Sequence, residues 1–210
     1  MFARDYRKLA WSQLSGNWGY AILAMLLYSI IVGALSSTFG VGMLILGGVF
    51  GVGLASTMLS FVRSGNLRIE ELFSGFSDHL ADRMVAGLLV QLYTALWSLL
   101  FIIPGIVKGY SYSMTYYILK DHPEMSATQA IDRSREIMNG NKWRLFCLHF
   151  SFIGWLILCS LTFGILTLWV MPYMQVAEAN FYESIKGEPT PAAFTDNSDG
   201  SQSTGGTQAL

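Results

Sequence analysis

The sequence predicts an all-α protein, a polytopic transmembrane helical bundle of about six spans built as three repeats of amphipathic helix plus transmembrane hairpin. Three observations predict this class: an unusually apolar composition, six apolar stretches, and a motif pattern that recurs at a fixed distance. We expect residues 1–187 to form the helical domain. Residues 188–210 contain few apolar side chains to bury, and we expect a disordered cytoplasmic tail there.

Composition places the chain in lipid rather than in water. Hydrophobic residues make up 52% of the chain and charged residues only 13%, whereas about a quarter of an ordinary soluble domain is charged. The mean hydropathy is +0.43. The net charge of −1 gives no basic field of the kind that attracts nucleic acid. We therefore expect membrane lipids as partners, and no nucleic acid.

Six apolar stretches are candidates for membrane spans, since about 20 residues cross the hydrocarbon core. They lie at residues 18–35, 41–62, 84–103, 106–119, 145–160 and 165–182. The fourth stretch is short and contains Lys108, so its length alone does not establish a full crossing. Pro104-Gly105 is the expected hinge before it. Cys147 and Cys159 both lie in apolar stretches, where free buried thiols are expected.

The first and last parts of the chain share a motif pattern at an offset of 124 residues. Gly16-Asn17 recurs as Gly140-Asn141, and Thr38-Phe39-Gly40 recurs as Thr162-Phe163-Gly164. One offset relates both pairs without a gap, which favours an internal repeat over coincidence in an apolar sequence. The unit is a surface helix ending in Gly-Asn, a span, a tight turn and a returning span.

Each unit opens with an amphipathic helix, because apolar residues recur at helical spacing near the N-terminus, over residues 69–80 and over residues 127–138. In the third copy Ser126 and Gln129 have the spacing of a capping box, and Asn139-Gly140 suits a helix end. Two interpretations stay open for these helices. They lie in the inner membrane interface, or they cover a cytoplasmic mouth of the bundle.

The positions of the charges predict an orientation. Of the 13 Lys and Arg residues, 12 lie before the first span, after the last span, or in alternate connections. The other three connections, SSTFG, IPG and LTFG, carry no charge. The positive-inside rule then places both termini and every charged connection in the cytoplasm. We expect a multi-pass protein of the cell membrane whose outer face consists of three tight turns.

Candidate site residues fall into three groups. Candidates for binding acidic lipid headgroups are the basic residues beside the third amphipathic helix: Arg133, Arg135, Lys142 and Arg144. Candidates for an intramembrane polar role are the ionisable residues within apolar stretches: Lys108, His149 and Glu178. Candidates for close helix packing are small residues spaced by four on one helix face: Gly47, Gly51 and Ala55.

Two of the intramembrane groups are expected not to pair. Lys108 follows its turn closely, whereas Glu178 lies well beyond its own, so the two residues differ by roughly 15 Å in depth. His149 and Cys147 are two residues apart and do not share a helix face, which argues against a metal site. The sequence also lacks HExxH, GxSxG and Walker patterns. We therefore expect a non-catalytic protein with no cofactor.

Three segments carry a resemblance to a known family. They read LWSLLFIIPGIVKGYSYSMTYYILKD, MSATQAIDRSREIMNGNKWRLFCLHFSFIGW and PYMQVAEANFYE. They resemble the bacterial integral membrane family catalogued as domain of unknown function 975, most specifically in the pattern AIxxSxxxMxGxKW. The resemblance extends from ARDYRKLAWSQLSGNWG to Tyr182 and implies a multi-span bacterial membrane protein. That family is similar in organisation to the membrane region of some glycerophosphodiester phosphodiesterases, whose catalytic domain has no counterpart in this chain.

Three functions remain open at this point. The first is a non-catalytic bundle that engages or moves a lipid or other amphiphile. The second is an accessory or assembly protein that packs against another membrane protein. The third, an intramembrane enzyme, lacks a catalytic constellation. A cavity opening to one leaflet would favour the first function, and a flat outer face lined by glycine would favour the second.

Overall fold

The computed structural model describes residues 3–37, 41–76, 80–100, 102–162 and 164–187. All regular secondary structure within these residues is helical, so the all-α prediction is confirmed for them. The turn expected at Thr38-Phe39-Gly40 and the tail at 188–210 lie outside the described residues. Cys147 and Cys159 are free thiols.

The helices fall into three consecutive units of the chain. The first unit contains α1 (Ala3–Leu14), α2 (Trp18–Ser37) and α3 (Val41–Ser64). The middle unit contains a 3₁₀ helix (Ile69–Phe76), α4 (Leu80–Leu100), α5 (Ile102–Tyr112) and α6 (Thr115–Asp121). The last unit contains α7 (Ala127–Ile137), α8 (Lys142–Phe150), α9 (Ile153–Leu161) and α10 (Thr167–Ile185).

Two of the predicted spans are interrupted in the structure, and hydroxyl side chains lie at both interruptions. The stretch at 106–119 divides into α5 and α6, where Ser113 donates to the carbonyl of Tyr110 and Thr115 to that of Tyr112. The stretch at 145–160 divides into α8 and α9, where Ser151 donates to the carbonyl of Leu148. Such bonds back to the preceding turn bend helices. The hinge expected at Pro104 lies instead within the first turn of α5, where proline is tolerated.

The middle amphipathic segment, expected as a helix over 69–80, is a 3₁₀ helix over Ile69–Phe76, and residues 77–79 lie outside the described residues. The 3₁₀ helix lies very close to α3: a Cβ on Gly53 would stand 1.9 Å from the carbonyl oxygen of Leu72, and one on Gly75 would stand 2.0 Å from that of Val49. Side chains larger than hydrogen at these two glycines are therefore excluded by the fold.

A loop and the helix start after it coincide in the first and last units when shifted by 124 residues. α2 begins at Trp18, and α8 begins at Lys142, 124 residues later. The loop before each of these helices contains a glycine with positive φ, +93° at Gly16 and +82° at Gly140. The two units thus share the position of this loop and the start of the helix that follows it, whereas the single helix α2 corresponds to two helices, α8 and α9.

The three units pack head to tail and close into a ring. Each returning helix contacts the amphipathic segment of the next unit: α3 contacts the 3₁₀ helix, α6 contacts α7, and α10 contacts α1. The first helix of each hairpin also contacts the returning helix of the preceding unit: α4 contacts α3, α8 contacts α5, and α2 contacts α10. Because α10 returns to α1 and α2, the last unit closes on the first.

Inner and outer helices of the ring differ in burial. Two stretches of the described chain, Leu46–Ser64 and Lys142–Leu161, are long and apolar enough to cross a membrane. The first is a returning helix and is 78% buried inside the protein, whereas the second is only 24% buried. The pair α1 and α2 would add a third crossing if counted together, and these two helices meet at 103°. Length and composition alone therefore support two or three crossings.

Candidate functional site

A cavity lies beside each of the three amphipathic segments. The α1 cavity, of about 350 Å³, is lined by Arg4, Arg7, Lys8, Trp11 and Tyr173. The 3₁₀ cavity, of about 640 Å³, is lined by Arg68, Glu70, Glu71, Ser74 and Lys120. The α7 cavity, of about 270 Å³, is lined on the α7 side by Thr128, Ile131, Asp132 and Arg135. Its other side contains Lys108 and three aromatic residues of α4 and α5: Tyr93, Trp97 and Tyr112.

Arg7 is the most firmly held cation of the α1 cavity. Its Nη1 donates to the carbonyl oxygen of Ser151 at 3.1 Å, at the break between α8 and α9. Its guanidinium lies over the ring of Phe152, 5.3 Å from the centroid. Its Nε is buried and has no hydrogen-bond partner within the described part of the chain. The charge is thus fixed in place while one donor is left unused.

Aromatic rings form the wall of the α1 cavity. The ring of Trp11 lies edge-on to Trp18 at 5.2 Å and to Tyr173 at 5.6 Å between centroids. Tyr173 in turn packs edge-on against Phe152 at 5.0 Å. Trp11 itself is 53% exposed. The cavity therefore combines three cations with an aromatic wall whose outer member faces the surroundings.

The α7 cavity contains both positive and negative charges. Arg135 Nη1 donates to Asp132 Oδ1 at 2.8 Å, so the cavity contains its own carboxylate. Lys108, from α5, places its Nζ 4.9 Å from the centre of the Trp97 ring, which gives the ammonium a cation–π contact. Lys108 and Arg135 thus line one cavity, although sequence spacing did not associate them.

The predicted headgroup residues are not gathered into one site. Arg133 pairs with Glu136 at 2.7 Å, one helical turn away, as Arg135 does with Asp132. Arg144 donates to the hydroxyl of Tyr6 and to the side-chain oxygen of Asn141, both at 2.8 Å. Lys142 is half-buried at the start of α8. Of these four, only Arg135 lines one of the three cavities.

Glu178 pairs with His149, not with Lys108. His149 Nε2 contacts Glu178 Oε1, and His149 Nδ1 lies 3.2 Å from the Tyr110 hydroxyl. Sequence reasoning missed this pairing, although a signal was present. His149 lies thirteen residues before Thr162 and Glu178 lies thirteen after Ile165, so an antiparallel hairpin places the two at one level.

The predicted packing residues lie on α3 inside the ring. Gly47 and Ala55 are buried, and a Cβ on Gly51 would stand 3.0 Å from the ring of Tyr116 in α6. A closer approach is at the neighbouring Gly48, where a Cβ would stand 2.1 Å from the carbonyl oxygen of Arg83 and 2.7 Å from the Cα of Gly87, both in α4. Small residues of α3 therefore serve packing within the chain.

A cluster of charges joins the returning helices of all three units at the ends of α3, α6 and α10. Arg63 contacts Asp121 at 2.6 Å and Glu183 at 2.8 Å, and Lys186 contacts the same two carboxylates at 3.4 and 3.2 Å. Burial raises the pKa of the Asp121 carboxyl, but the hydrogen bond and charge of Arg63 outweigh it, so the pKa is lowered. Asp121 stays ionised at neutral pH and bridges the units.

A second ion pair ties the 3₁₀ helix to its neighbours. Glu71 accepts from Lys120 of α6 at 2.8 Å and from Ser56 of α3. Burial raises the pKa of Glu71, but these hydrogen bonds and the Lys120 charge outweigh it and lower the pKa. Both acids of the 3₁₀ cavity, Glu70 and Glu71, offset its cations.

These features define a protein whose described secondary structure is all helical and whose three units close into a ring, with a cavity beside each amphipathic segment. The chain belongs to the family described as Protein of unknown function (DUF975), which matches residues 1–108 and 101–189. The predicted resemblance to this family is thereby confirmed. No curated protein and no solved structure matches the chain.

Proposed function

We propose that the protein is an integral protein of the plasma membrane that engages or moves a lipid or other amphiphile without catalysis. In this proposal three repeat units form a bundle that crosses the membrane six times, with both termini in the cytoplasm. The observation that carries the proposal is the 103° angle between α1 and the apolar helix α2. If α2 crosses the membrane, α1 lies nearly in its plane, as interfacial amphipathic helices do.

Outward-facing apolar stripes support the membrane location. On α4, Leu88, Leu92 and Leu96 are spaced by four and are 46%, 56% and 60% exposed. On α9, Ile157 and Leu161 are 67% and 76% exposed. Contiguous exposed apolar patches of this kind mark contact with lipid or protein. Because the first helices of the hairpins carry them, the outside of the ring suits hydrocarbon.

The loop and helix start shared at an offset of 124 residues and the cyclic contacts support three repeat units. Six crossings require each unit to supply two. α5 has 11 residues, or about 16 Å of helix, so the returning leg of the middle unit needs α5 and α6 together. Broken helices of this kind are tolerated in membranes where neighbouring helices cover the freed backbone groups.

The alternative function is an accessory or assembly protein that packs against another membrane protein. Such a protein is expected to present a flat face of small residues to its partner. The glycines of α3 at which a Cβ would meet neighbouring backbone, Gly48 and Gly53, contact α4 and the 3₁₀ helix of the same chain. The geometry therefore favours the lipid-engaging bundle.

Topology labelling tests the proposal. In a background with Cys147→Ala and Cys159→Ala, a cysteine at Thr162 should react with an impermeant maleimide in intact cells. A cysteine at Glu124, in the exposed connection before α7, should react only after permeabilisation. The reverse pattern would overturn the orientation. Release of the protein from membranes by alkaline carbonate would overturn the membrane-spanning proposal itself.

A further inference from the structure

The charge of the α1 cavity is of one sign. Arg4, Arg7 and Lys8 line it, and Asp5, the only acid of α1, does not. The 3₁₀ cavity contains two carboxylates and the α7 cavity contains Asp132. Among the described residues the cavity is lined by three cations and no carboxylate, and such a concentration of one sign of charge attracts anions.

Arg7 is prepared for an oxyanion before any ligand arrives. The Phe152 ring and the Ser151 carbonyl fix its guanidinium, so little side-chain freedom is lost on binding. Its Nε is a buried donor without a partner in the described residues, and a buried unmet donor is costly. The guanidinium of Arg7 lines the cavity, and its N–H groups can give an oxygen of phosphate or carboxylate a charge-assisted hydrogen bond.

The surroundings of the cavity distinguish a lipid from a free anion. Trp11 forms one wall and is half exposed, and tryptophan is enriched at the level of lipid headgroups. The cavity lies on α1, which turns through 103° from α2. A headgroup could therefore enter beside Trp11 while its acyl chains stay in the surrounding leaflet.

We propose that the α1 cavity binds the phosphate of an anionic phospholipid headgroup. Arg7 donates to the phosphate from a fixed position, and Arg4 and Lys8 supply flanking positive charge. The inference rests on the proposed membrane location, and it moves the headgroup site from the third amphipathic helix, where sequence placed it, to the first.

The test is lipid retention measured by native mass spectrometry on the full chain in detergent. Wild type should retain phosphatidylglycerol over phosphatidylcholine. Arg4→Gln with Lys8→Gln, which removes two cations, should lower phosphatidylglycerol retention roughly tenfold or more. Arg133→Gln with Arg135→Gln removes the same charge elsewhere and should stay within about twofold of wild type.

A second variant tests the role of Arg7 separately. Arg7→Lys keeps the charge but loses the planar group and its Nε donor, so retention should fall while the thermal unfolding temperature in detergent stays close to that of Arg4→Gln with Lys8→Gln. Unchanged retention in both cavity variants would overturn the site. Equal loss in the cavity and control variants would also overturn it, because bulk charge would then explain binding.

Competition with inorganic phosphate distinguishes a lipid headgroup from a free phosphate ion as the bound anion. At the same concentration as the lipid, inorganic phosphate should neither displace phosphatidylglycerol nor stabilise the protein against heat. Equal competition by phosphate would overturn the lipid assignment. Failure of the membrane proposal is distinguishable, because it would appear as carbonate extraction whatever the lipid retention in detergent.

Discussion

The α1 and α7 cavities occupy the same place in two units of the chain, yet they differ in chemistry. Each is lined by four residues of its amphipathic helix, and the two sets are related by the offset of 124: Arg4, Arg7, Lys8 and Trp11; Thr128, Ile131, Asp132 and Arg135. The shared backbone fixes where a cavity forms. The side chains then decide whether it is cationic or balanced, so one scaffold can host different sites.

The same comparison extends to how closely each amphipathic segment approaches its returning helix. Gly53 on α3 and Ala177 on α10 are 124 residues apart, and both are buried. At Gly53 the 3₁₀ helix leaves no space for a Cβ, whereas the matching position on α10 accommodates the methyl group of Ala177. At this position the returning helix is therefore packed more closely in the middle segment's contact.

The largest effect is expected at this tight contact. Gly53→Ala places a Cβ 1.9 Å from the Leu72 carbonyl oxygen, and overpacking of this kind should cost about 3 kcal/mol in the free energy of unfolding. Ala177→Gly, at the matching position, should cost only about 1 kcal/mol. Thermal unfolding in detergent compares the two variants. A Gly53→Ala protein as stable as Ala177→Gly would show that the segments are held alike.

The next largest effect is expected when the basic residues of the α1 cavity are introduced at the matching positions of the α7 cavity. Thr128→Arg with Asp132→Lys places the α1 charges at exposed positions of α7 and leaves the buried Ile131 in place. Retention of phosphatidylglycerol should rise roughly tenfold, or about 1.4 kcal/mol, over that of Thr128→Gln with Asp132→Asn. Native mass spectrometry measures the difference. No gain would mean that charge alone does not make the site and that the fixed Arg7 is essential.

The equivalent loops should respond equally. Gly16 and Gly140 both have positive φ, +93° and +82°, and neither has a neighbouring atom that a Cβ would meet. Alanine at either position should therefore cost about 1 kcal/mol through backbone conformation alone. Gly33→Ala, in the interior of α2 with open space around it, is the control and should not destabilise. Costs that differ strongly between the two loops would argue against equivalent units.

The smallest effect concerns pH at the ring interfaces. The pKa of Asp121 is lowered from its ordinary value of 3.8, so its contribution to stability is present above that value and is lost as the pH falls below it. Acid unfolding of wild type should therefore be steeper below about pH 4 than that of Asp121→Asn. The neutral pair Gln13 and Asn180 at the α1–α10 interface should add no such dependence. Identical pH profiles of the two proteins would show that the ionised Asp121 does not stabilise the contact between the units.

Sequence motifs predicted the structure well where a helix boundary depends on residues within a single turn. The capping box at Ser126 and Gln129 is confirmed, with the Ser126 backbone N–H donating to the Gln129 side chain at 2.9 Å. The breaks at Ser113 and Ser151 were missed, because hydropathy records serine as a mild interruption and not as a competitor for backbone carbonyls.

The α1 cavity could not be predicted from the sequence, for a different reason. Trp11 of α1 and Tyr173 of α10 together form its wall. The position of its cation Arg7 depends on a hydrogen bond to the carbonyl oxygen of Ser151. These residues meet only because the last unit closes on the first, and no local pattern encodes that closure. The sequence instead singled out Arg133 and Arg135, which pair with neighbouring carboxylates at i+3 and i−3.

One contact between the first and last units tests the closure of the ring most directly. Gln13 of α1 and Asn180 of α10 exchange two side-chain hydrogen bonds, at 3.3 and 2.6 Å. Cysteines at these two positions, in a chain lacking Cys147 and Cys159, should be joined within one chain by a short bismaleimide in native membranes. A pair at Gln13 and Glu124 is the control and should not join. Cross-links that form only between two chains, or not at all, would contradict the closed ring.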